Sequence, residues 1–486
     1  MDVAQKIVIS LMEKGILIEP SALDFIKKHG VKLEDIDIND LAKSGFLTKK
    51  HLESIIKKRN KEKNEVVVIR KSKKHLSADY ESNFEIKNNF VNKDLPKNTE
   101  TMAKLFNDRY EKIKNILLQR VELKNSISIN KLENNKVNGE ISIIGMVYNK
   151  IKSKNGNILL EVEDPTGKIT VFVKDQKNID YLITDEVIGL RGTYSNGMFF
   201  AEKIIFPDVP MPIGNIKQAS DPLCAVFISD LHFGSKDFIS DVEKKFIKWI
   251  NDAEDKLASR VKYLFIAGDI VDGVGIYPEQ ENDLTVKDIY RQYELFEKFI
   301  EKIPEFIEIF VCPGNHDAVT LAEPQPPLSR DLVPNIKDFK NVHLVTNPAY
   351  VTVHGIKVLM YHGYSFTNLT DAILAIRKYG VKNPQYVMME VLKKRHLAPL
   401  YGATIQTPDE KDHLVIDDVP DIFHTGDLHS HAVANYKGIT LISSSTFQGQ
   451  TSFMDRVGHI ADPGKVTVVD LKSREWEVLQ FYKNNN

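Results

Sequence analysis

The chain has 486 residues, enough for two to four domains of ordinary size, and its 42% hydrophobic and 27% charged residues exclude a wholly disordered polymer. Sixty-five Lys and Arg nearly balance 67 Asp and Glu, so any contact with nucleic acid has to come from a local patch or from a partner, not from global charge. The sequence holds no apolar run of the roughly 20 residues that a bilayer span needs, and Met1 to Gly15 lacks the features of a signal peptide; a soluble, cytoplasmic protein without a membrane partner is expected.

Residues 1–60 read as a small helical interaction domain. Ala4, Ile7, Val8 and Leu11 share one helical face that Gly15 can stop. Ser21 to Asp24 resembles a capping box opening a second helix that ends near Gly30, and Thr48 can cap a third. Residues 61–100 are rich in Lys, Asn, Glu and Ser and read as a flexible linker. A helix is expected near Met102 to Leu123. Within 120–207 the pattern changes to strand period: Glu140–Tyr148, Asn157–Val162, Lys168–Val173 after a Pro-Thr-Gly turn, Glu186–Tyr194 and Met198–Ile205. Five short strands in so little chain point to a closed barrel of the OB type. From 219 to 486 short apolar strands alternate with helical stretches, which is the pattern of a layered α/β domain. The fold class expected is therefore multidomain α/β. Cys224 and Cys312 are too few for a disulfide framework and read as buried free thiols.

Metal-capable residues follow each of five of these strands. Asp230 and His232 follow Ala225–Ile228; Asp269 and Asp272 follow Tyr263–Ile266; Asn315, His316 and Asp317 follow Ile307–Val311. His362 follows Lys357–Tyr361, and Asp427, His429 and His431 follow Ile422–Phe423. One such residue would ordinarily be a turn or cap, but ligands of α/β sheets gather beyond the carboxyl ends of the strands, and five clusters in succession point to a metal centre. Carboxylate, imidazole and amide oxygen suit Mn²⁺, Fe²⁺ or Zn²⁺. There are more donors than one ion needs, so two divalent ions sharing a bridging carboxylate are expected, an arrangement that activates water and clamps a phosphate. Arg395 and His396, side by side, are candidate contacts to substrate phosphate.

The ordered set Asp-x-His, Gly-Asp-x-x-Asp, Gly-Asn-His-Asp and His-Gly, from Asp230 to Gly363, resembles the calcineurin-like metallophosphoesterase superfamily. The resemblance implies a four-layer α/β domain in which Asp230 and His232 hold a first metal, Asp269 bridges, and Asn315 and His362 hold a second. It implies that His316 stabilises or protonates the leaving oxygen and that Asp317 orients His316; Asp272 is read as a loop-holding residue. The superfamily shows Gly-His-x-His where this chain has Gly426-Asp-Leu-His-Ser-His431. Alignment on the glycine selects Asp427 and His429; alignment on His-x-His selects His429 and His431. Further stretches, Gly268–Glu281, Ala322–Pro326, Arg395–Gly402 and Pro420–Gly426, together with the order of helical domain, linker, barrel and phosphoesterase, are similar to the small subunits of archaeal family D DNA polymerases over about residues 120–486. That resemblance implies a manganese-dependent 3′→5′ proofreading exonuclease acting on single-stranded 3′ ends. It also implies a large catalytic polymerase subunit as partner, with the sliding clamp a further candidate. A scaffold with a decayed metal site and a phosphoprotein or nucleotide phosphatase are the competing readings. Four complete motifs weigh against the first, and the barrel and N-terminal extension against the second.

Overall fold

The computed structural model describes residues 10–12, 17–29, 46–53, 74–88, 90, 96–134, 139–152, 158–174, 177–212, 214 and 216–483. It divides into two compact units, Met1–Lys73 and Lys74–Asn486. In the first, β1 (Leu17–Ile18) pairs in parallel with β2 (Phe46–Leu47), and α1 (Pro20–His29) follows β1. The helix expected from Ser21 is thus present, whereas the two-residue strands were not foreseen. The helix expected around Ala4, Ile7 and Val8 lies outside the described residues.

The second unit begins with a correction. Part of the expected linker, β3 (Phe84–Asn88), is an ordered strand pairing antiparallel with a later strand, Ala349–Val353. His75, just before it, is buried with Nδ1 3.2 Å from the Ala258 carbonyl. Helix α2 (Thr99–Leu117) is capped by Asn98, whose side chain accepts from Thr101 N, and buries Leu105, Arg109, Tyr110, Ile113 and Leu117 on one face. After the short α3 (Ile129–Asn134) come β4 (Ile141–Lys152), β5 (Ile158–Asp164), β6 (Gly167–Val173), β7 (Val187–Ser195) and β8 (Met198–Ile205). They close into a barrel in the order β4-β5-β6-β8-β7 around Ile143, Leu160, Val171, Leu190 and Phe199.

The remainder is built from β9 (Cys224–Ile228), α4 (Ser240–Ile250), β10 (Val261–Ala267), α5 (Ile289–Ile300), β11 (Glu308–Cys312), β12 (Val342–Leu344), β13 (Ala349–Val353) and β14 (Ile356–Met360). It continues through α6 (Phe366–Ala372), α7 (Leu374–Arg377), α8 (Pro384–Lys394), β15 (Ile422–Thr425), β16 (Ala432–Tyr436), β17 (Ile439–Ser443), α9 (Ser452–Val457), β18 (Lys465–Asp470) and β19 (Trp476–Gln480). One six-stranded sheet runs β12-β11-β10-β9-β18-β19 and the other β16-β17-β15-β14-β13-β3. Phe227, Phe265 and Cys312 of the first sheet pack with Val351, Val358 and Ile442 of the second in one core. The outer face of the first sheet packs on Phe246, Phe296 and Phe299 of α4 and α5, and that of the second on Phe366, Val387 and Val391 of α6 and α8. The layers are helix, sheet, sheet, helix. Strands β9, β10 and β11 are mutually parallel, as are β14 and β15, so their carboxyl ends emerge at one end of each sheet. Both cysteines are buried and free.

Two buried ion pairs tie α2 and the barrel to these layers. Arg109 is fully buried; its Nε donates to Asp412 Oδ2 (2.7 Å), Nη1 to the Pro399 carbonyl (2.8 Å) and Nη2 to Gln406 Oε1 (3.1 Å). Lys394 Nζ donates to Glu186 Oε2 (2.9 Å) and to the Tyr181 carbonyl (2.7 Å). The same Asp412 oxygen takes His396 Nε2–H at 2.9 Å, while His396 Nδ1 accepts from Ala398 N at 3.0 Å. Both ring nitrogens are committed to the neutral form. Burial, then the Arg109 charge, push the His396 pKa down to about 4.

Two outcomes follow. Arg109→Ala should destabilise this unit by about 3–5 kcal/mol, because it leaves a buried carboxylate without its guanidinium; Asp412→Ala added to it should cost less than the sum, read in a double-mutant cycle of thermal unfolding. The folded pKa of His396 lies below its unfolded value of about 6.5, so its contribution to stability is complete above pH 6.5 and is lost as pH falls towards 4. Its ceiling is about 3 kcal/mol. His396→Gln should flatten that part of the acid limb in unfolding scans from pH 7.5 to 4.5.

Candidate metal centre

The five strand ends deliver their polar side chains to one pocket. Asp230, His232 and His429 form one cluster of donors, and Asp230, Asp269 and His362 form another; within each, the candidate ligand atoms lie within 4.8 Å of one another. His232 Nε2 is 3.0 Å from His429 Nε2, and His429 Nε2 is 3.2 Å from Asp230 Oδ1. Asp269 of the second cluster also faces the first, with Oδ2 3.7 Å from His232 Nε2 and Oδ1 3.3 Å from His362 Nε2. Around His362 Nε2 stand Asn315 Oδ1 at 2.9 Å and Asp427 Oδ1 at 3.8 Å.

Local backbone explains how such crowding is reached. Asp230, His232, Asp269, Asp427 and His429 all adopt positive φ (52°, 49°, 48°, 66° and 49°), a conformation costly for residues with a Cβ. These turns at the strand ends swing the side chains inward. Close approach also needs missing side chains: a Cβ on Gly314 would collide with Asp269 Oδ1, and one on Gly426 would lie 2.5 Å from Asp230 Oδ2.

Supporting hydrogen bonds set the histidine tautomers. His232 Nδ1–H donates to Asp272 Oδ1 (3.0 Å) and His362 Nδ1–H to the Ala267 carbonyl (2.7 Å), so both Nε2 lone pairs point into the pocket. His316 Nδ1–H donates to the Asp272 carbonyl (2.8 Å), which leaves its Nε2 4.0 Å from Asp269 Oδ2 on the open side of the site. The carboxylates are buried together. Burial would raise the Asp230 carboxyl, but His429 and His362 hold it below the usual range; burial would likewise raise Asp269, and His362 and His316 hold it low. Burial lowers His232, whereas for His362 it is outweighed by Asp269, which raises that imidazole well above its usual value. Burial lifts Asp427 to about 6. This pocket gathers negative charge and lone pairs on one point, and Asp230, His232, Asp269, His362 and His429 are the residues that could hold a divalent cation, with Asn315 and Asp427 beside His362.

Several expectations need correction. His431 is outside the pocket, with Nε2 2.8 Å from Thr467 Oγ1 of β18, so the geometry follows the alignment on Gly426 and selects Asp427 and His429. Asp317 does not orient His316. Its Oδ2 accepts from Gly314 N (2.8 Å) and Ile270 N (3.3 Å), its Oδ1 from Tyr293 OH (3.1 Å), and burial lifts its pKa to about 7. It shapes the loop, and the Asp272 carbonyl does the orienting. Arg395 and His396 do not meet substrate phosphate. Arg395 is buried at the end of α8, donating to the Ile416 (2.6 Å) and Asp417 (2.8 Å) carbonyls, and His396 is held by Asp412. Asp272 does more than hold its loop, since it fixes a ligand histidine.

Sequence reasoning missed the amides behind the ligands. Gln448 Nε2 donates to Asp272 Oδ1 (2.9 Å). Gln325 Nε2 donates to the Gly314 carbonyl (3.2 Å) while its Oε1 accepts from Asn347 Nδ2 (2.7 Å), and Asn347 Oδ1 accepts from His362 N (2.9 Å). This clasp connects the loop of Asn315 to that of His362. The signal available was the Ala322–Pro326 stretch, which counted only toward the family resemblance.

The comparisons with known proteins show the family. Residues 225–434, which include every one of these candidate ligands, match the family of B subunits of DNA polymerases alpha and epsilon. The "DNA polymerase II small subunit" of Archaeoglobus fulgidus is 39% identical over 476 residues, covering 94% of this chain and 93% of that protein. The chain belongs to the archaeal DNA polymerase II small-subunit family. A second member, from Methanothermobacter thermautotrophicus, is 39% identical over 380 residues, covering 76% of this chain and 77% of its own. Among solved structures, one described as "Structural and Functional Characterization of a Novel Archaeal Phosphodiesterase" matches 53% of this chain and 99% of its own at 14% identity and a TM-score of 0.27, a likeness too slight to bear on the fold. The family resemblance drawn from the motifs is borne out. Among the described residues no helix is long and apolar enough to cross a membrane.

Asp272→Ala should weaken metal binding about 10–100-fold by freeing the His232 ring, with secondary structure unchanged. Metal titration followed by elemental analysis of the washed protein checks this.

Proposed function

We propose that this small subunit is a 3′→5′ DNA exonuclease that trims single-stranded 3′ ends for a large polymerase subunit, its partner in a complex. The observation that carries the reading is the Asp269 carboxylate facing His232 with one oxygen and His362 with the other, on a chain of this family. The names of its relatives supply the partner, since a small subunit has a large one. Two divalent ions, Mn²⁺ by the oxygen and imidazole donor set, would supply a nucleophile near neutral pH and neutralise phosphate charge.

The protein's own part is positioning and proton transfer. His316 is 19% exposed at its side chain, and its Nδ1–H is committed to the Asp272 carbonyl. Burial would lower its pKa, but Asp269 and Asp272 raise it, which favours a proton at Nε2, the nitrogen facing the site. In hydrolysis the bond from phosphorus to the O3′ of the penultimate nucleotide breaks and a bond from phosphorus to a water oxygen forms. The water proton leaves to solvent, and the Nε2 proton of His316 goes to O3′. The products are a nucleoside 5′-monophosphate and a strand one residue shorter with a free 3′ hydroxyl.

The test is a 5′-labelled single-stranded oligonucleotide with the full chain, Mn²⁺ and the large subunit. A descending ladder is expected. Asp269→Ala should abolish it, and His316→Ala should slow it about 10²–10⁴-fold with metal content kept. An undiminished ladder from metal-replete Asp269→Ala protein would sink the assignment. Absence of any ladder from the unsubstituted complex would leave the scaffold reading.

A further inference from the structure

Resting on the exonuclease reading above, we propose that Tyr277 and Phe453 form a stacking platform for the nucleobase on the 5′ side of the scissile bond. Two loops bring these rings to the rim of the metal centre, and both are anchored to groups that support it. In the first, Gln280 Oε1 accepts from Ile276 N (2.9 Å) while Gln280 Nε2 donates to the Asp272 carbonyl (2.7 Å), the same carbonyl that takes His316 Nδ1–H. Gly273 lies close to both the His316 backbone and Ile276, since a Cβ there would collide with His316 O and be 2.8 Å from Ile276 Cγ1. In the second, Thr451 caps α9 by accepting from Met454 N (3.1 Å), and Asp462 N donates to the His429 carbonyl (3.0 Å). Between the loops the Tyr277 and Phe453 rings stack, with centroids 5.5 Å apart and planes at 25°.

This stack is open to water. Phe453 is 45% exposed and Ile276 39% exposed, so apolar surface stands open beside a crowded acidic pocket. Charge selects the occupant. Tyr277 OH donates to Asp283 Oδ2 (3.1 Å), and Gln280 links the loop to the Asp272 carboxylate. A backbone phosphate is repelled there, whereas a neutral flat base finds two ring faces and an aliphatic side chain. Position selects which base. His316 hands its proton to O3′ of the penultimate nucleotide, so the nucleoside beside His316 is the one that stays on the strand. The platform therefore grips the strand rather than the released nucleotide, and acts on KM.

The experiment uses the full chain with Mn²⁺ and the large subunit on a 5′-labelled single-stranded oligonucleotide, intact or lacking the penultimate base. Phe453→Ala should raise KM for the intact strand about tenfold, with metal content and unfolding temperature unchanged. Tyr277→Ala should do the same, and Phe453→Tyr should restore the original KM. On the abasic strand the unsubstituted protein should show the raised KM, and Phe453→Ala should raise it no further. Equal KM for the unsubstituted protein and Phe453→Ala on the intact strand, or equal penalties on both strands, overturns the platform while the exonuclease stands. If the unsubstituted complex hydrolyses neither strand, the exonuclease reading fails and the platform fails with it.

Discussion

Asp269 is the group on which the architecture turns. Its carboxylate is buried, with one oxygen toward His362 and the other toward His232. A buried charge is costly unless it is paired or ligates a cation. The fold meets this by bringing imidazoles from three other strand ends into reach, and that demands the left-handed turns at Asp230, His232, Asp269, Asp427 and His429. Strain at five neighbouring positions persists only where surrounding structure over-determines it. Here the two sheets do so, with their parallel strands ending together and the amides of Gln448, Gln325 and Asn347 locking the loops from behind.

Much of this was legible in the sequence. The parallel strands are continuous apolar runs ending in Gly, Asp, Asn or His, and the five barrel strands are bounded by turn residues, so both show as local patterns. Strand β3 did not, because Phe84-Glu-Ile-Lys-Asn88 is a short edge strand set in a charge-rich stretch, and its pairing partner, Ala349–Val353, is far away in the chain. Among the ligands, Asp230, His232, Asp269, Asn315, His362 and His429 carry spacing signals. The choice between Asp427 and His431 needed three dimensions, since the chain direction after His429 turns into β16 and carries His431 toward β18. Asp317 misled because adjacency in sequence to His316 is not adjacency of side chains. The supporting amides have no signature at all, since a lone Gln or Asn becomes informative only when its partners are known. Arg395 and His396 looked like phosphate ligands because basic residues do. Both are absorbed by buried carbonyls and a carboxylate, which is what a chain does with polar groups it cannot leave in water.

The barrel and the layered domain share one stability. Arg109 ties α2 to the layers and Lys394 of α8 reaches Glu186 beside β7 of the barrel, each with a buried carboxylate as partner. Buried pairs of this kind add little net energy, but they penalise any other arrangement, because separation strands a charge. Separating the barrel from the layers would strand the Lys394 and Glu186 charges.

Strand β3 has a consequence for where this protein can be cut. It is the outermost member of the second sheet, and it covers the free edge of β13 from a position ahead of the barrel in sequence. A fragment trimmed to the barrel and the two layered sheets would look complete in sequence. It would nonetheless bare a row of unpaired amides and carbonyls along Ala349–Val353, an invitation to pair with a second copy. The minimal folded unit is therefore discontinuous with the motifs, and its solubility is written into a segment whose composition resembles a tether.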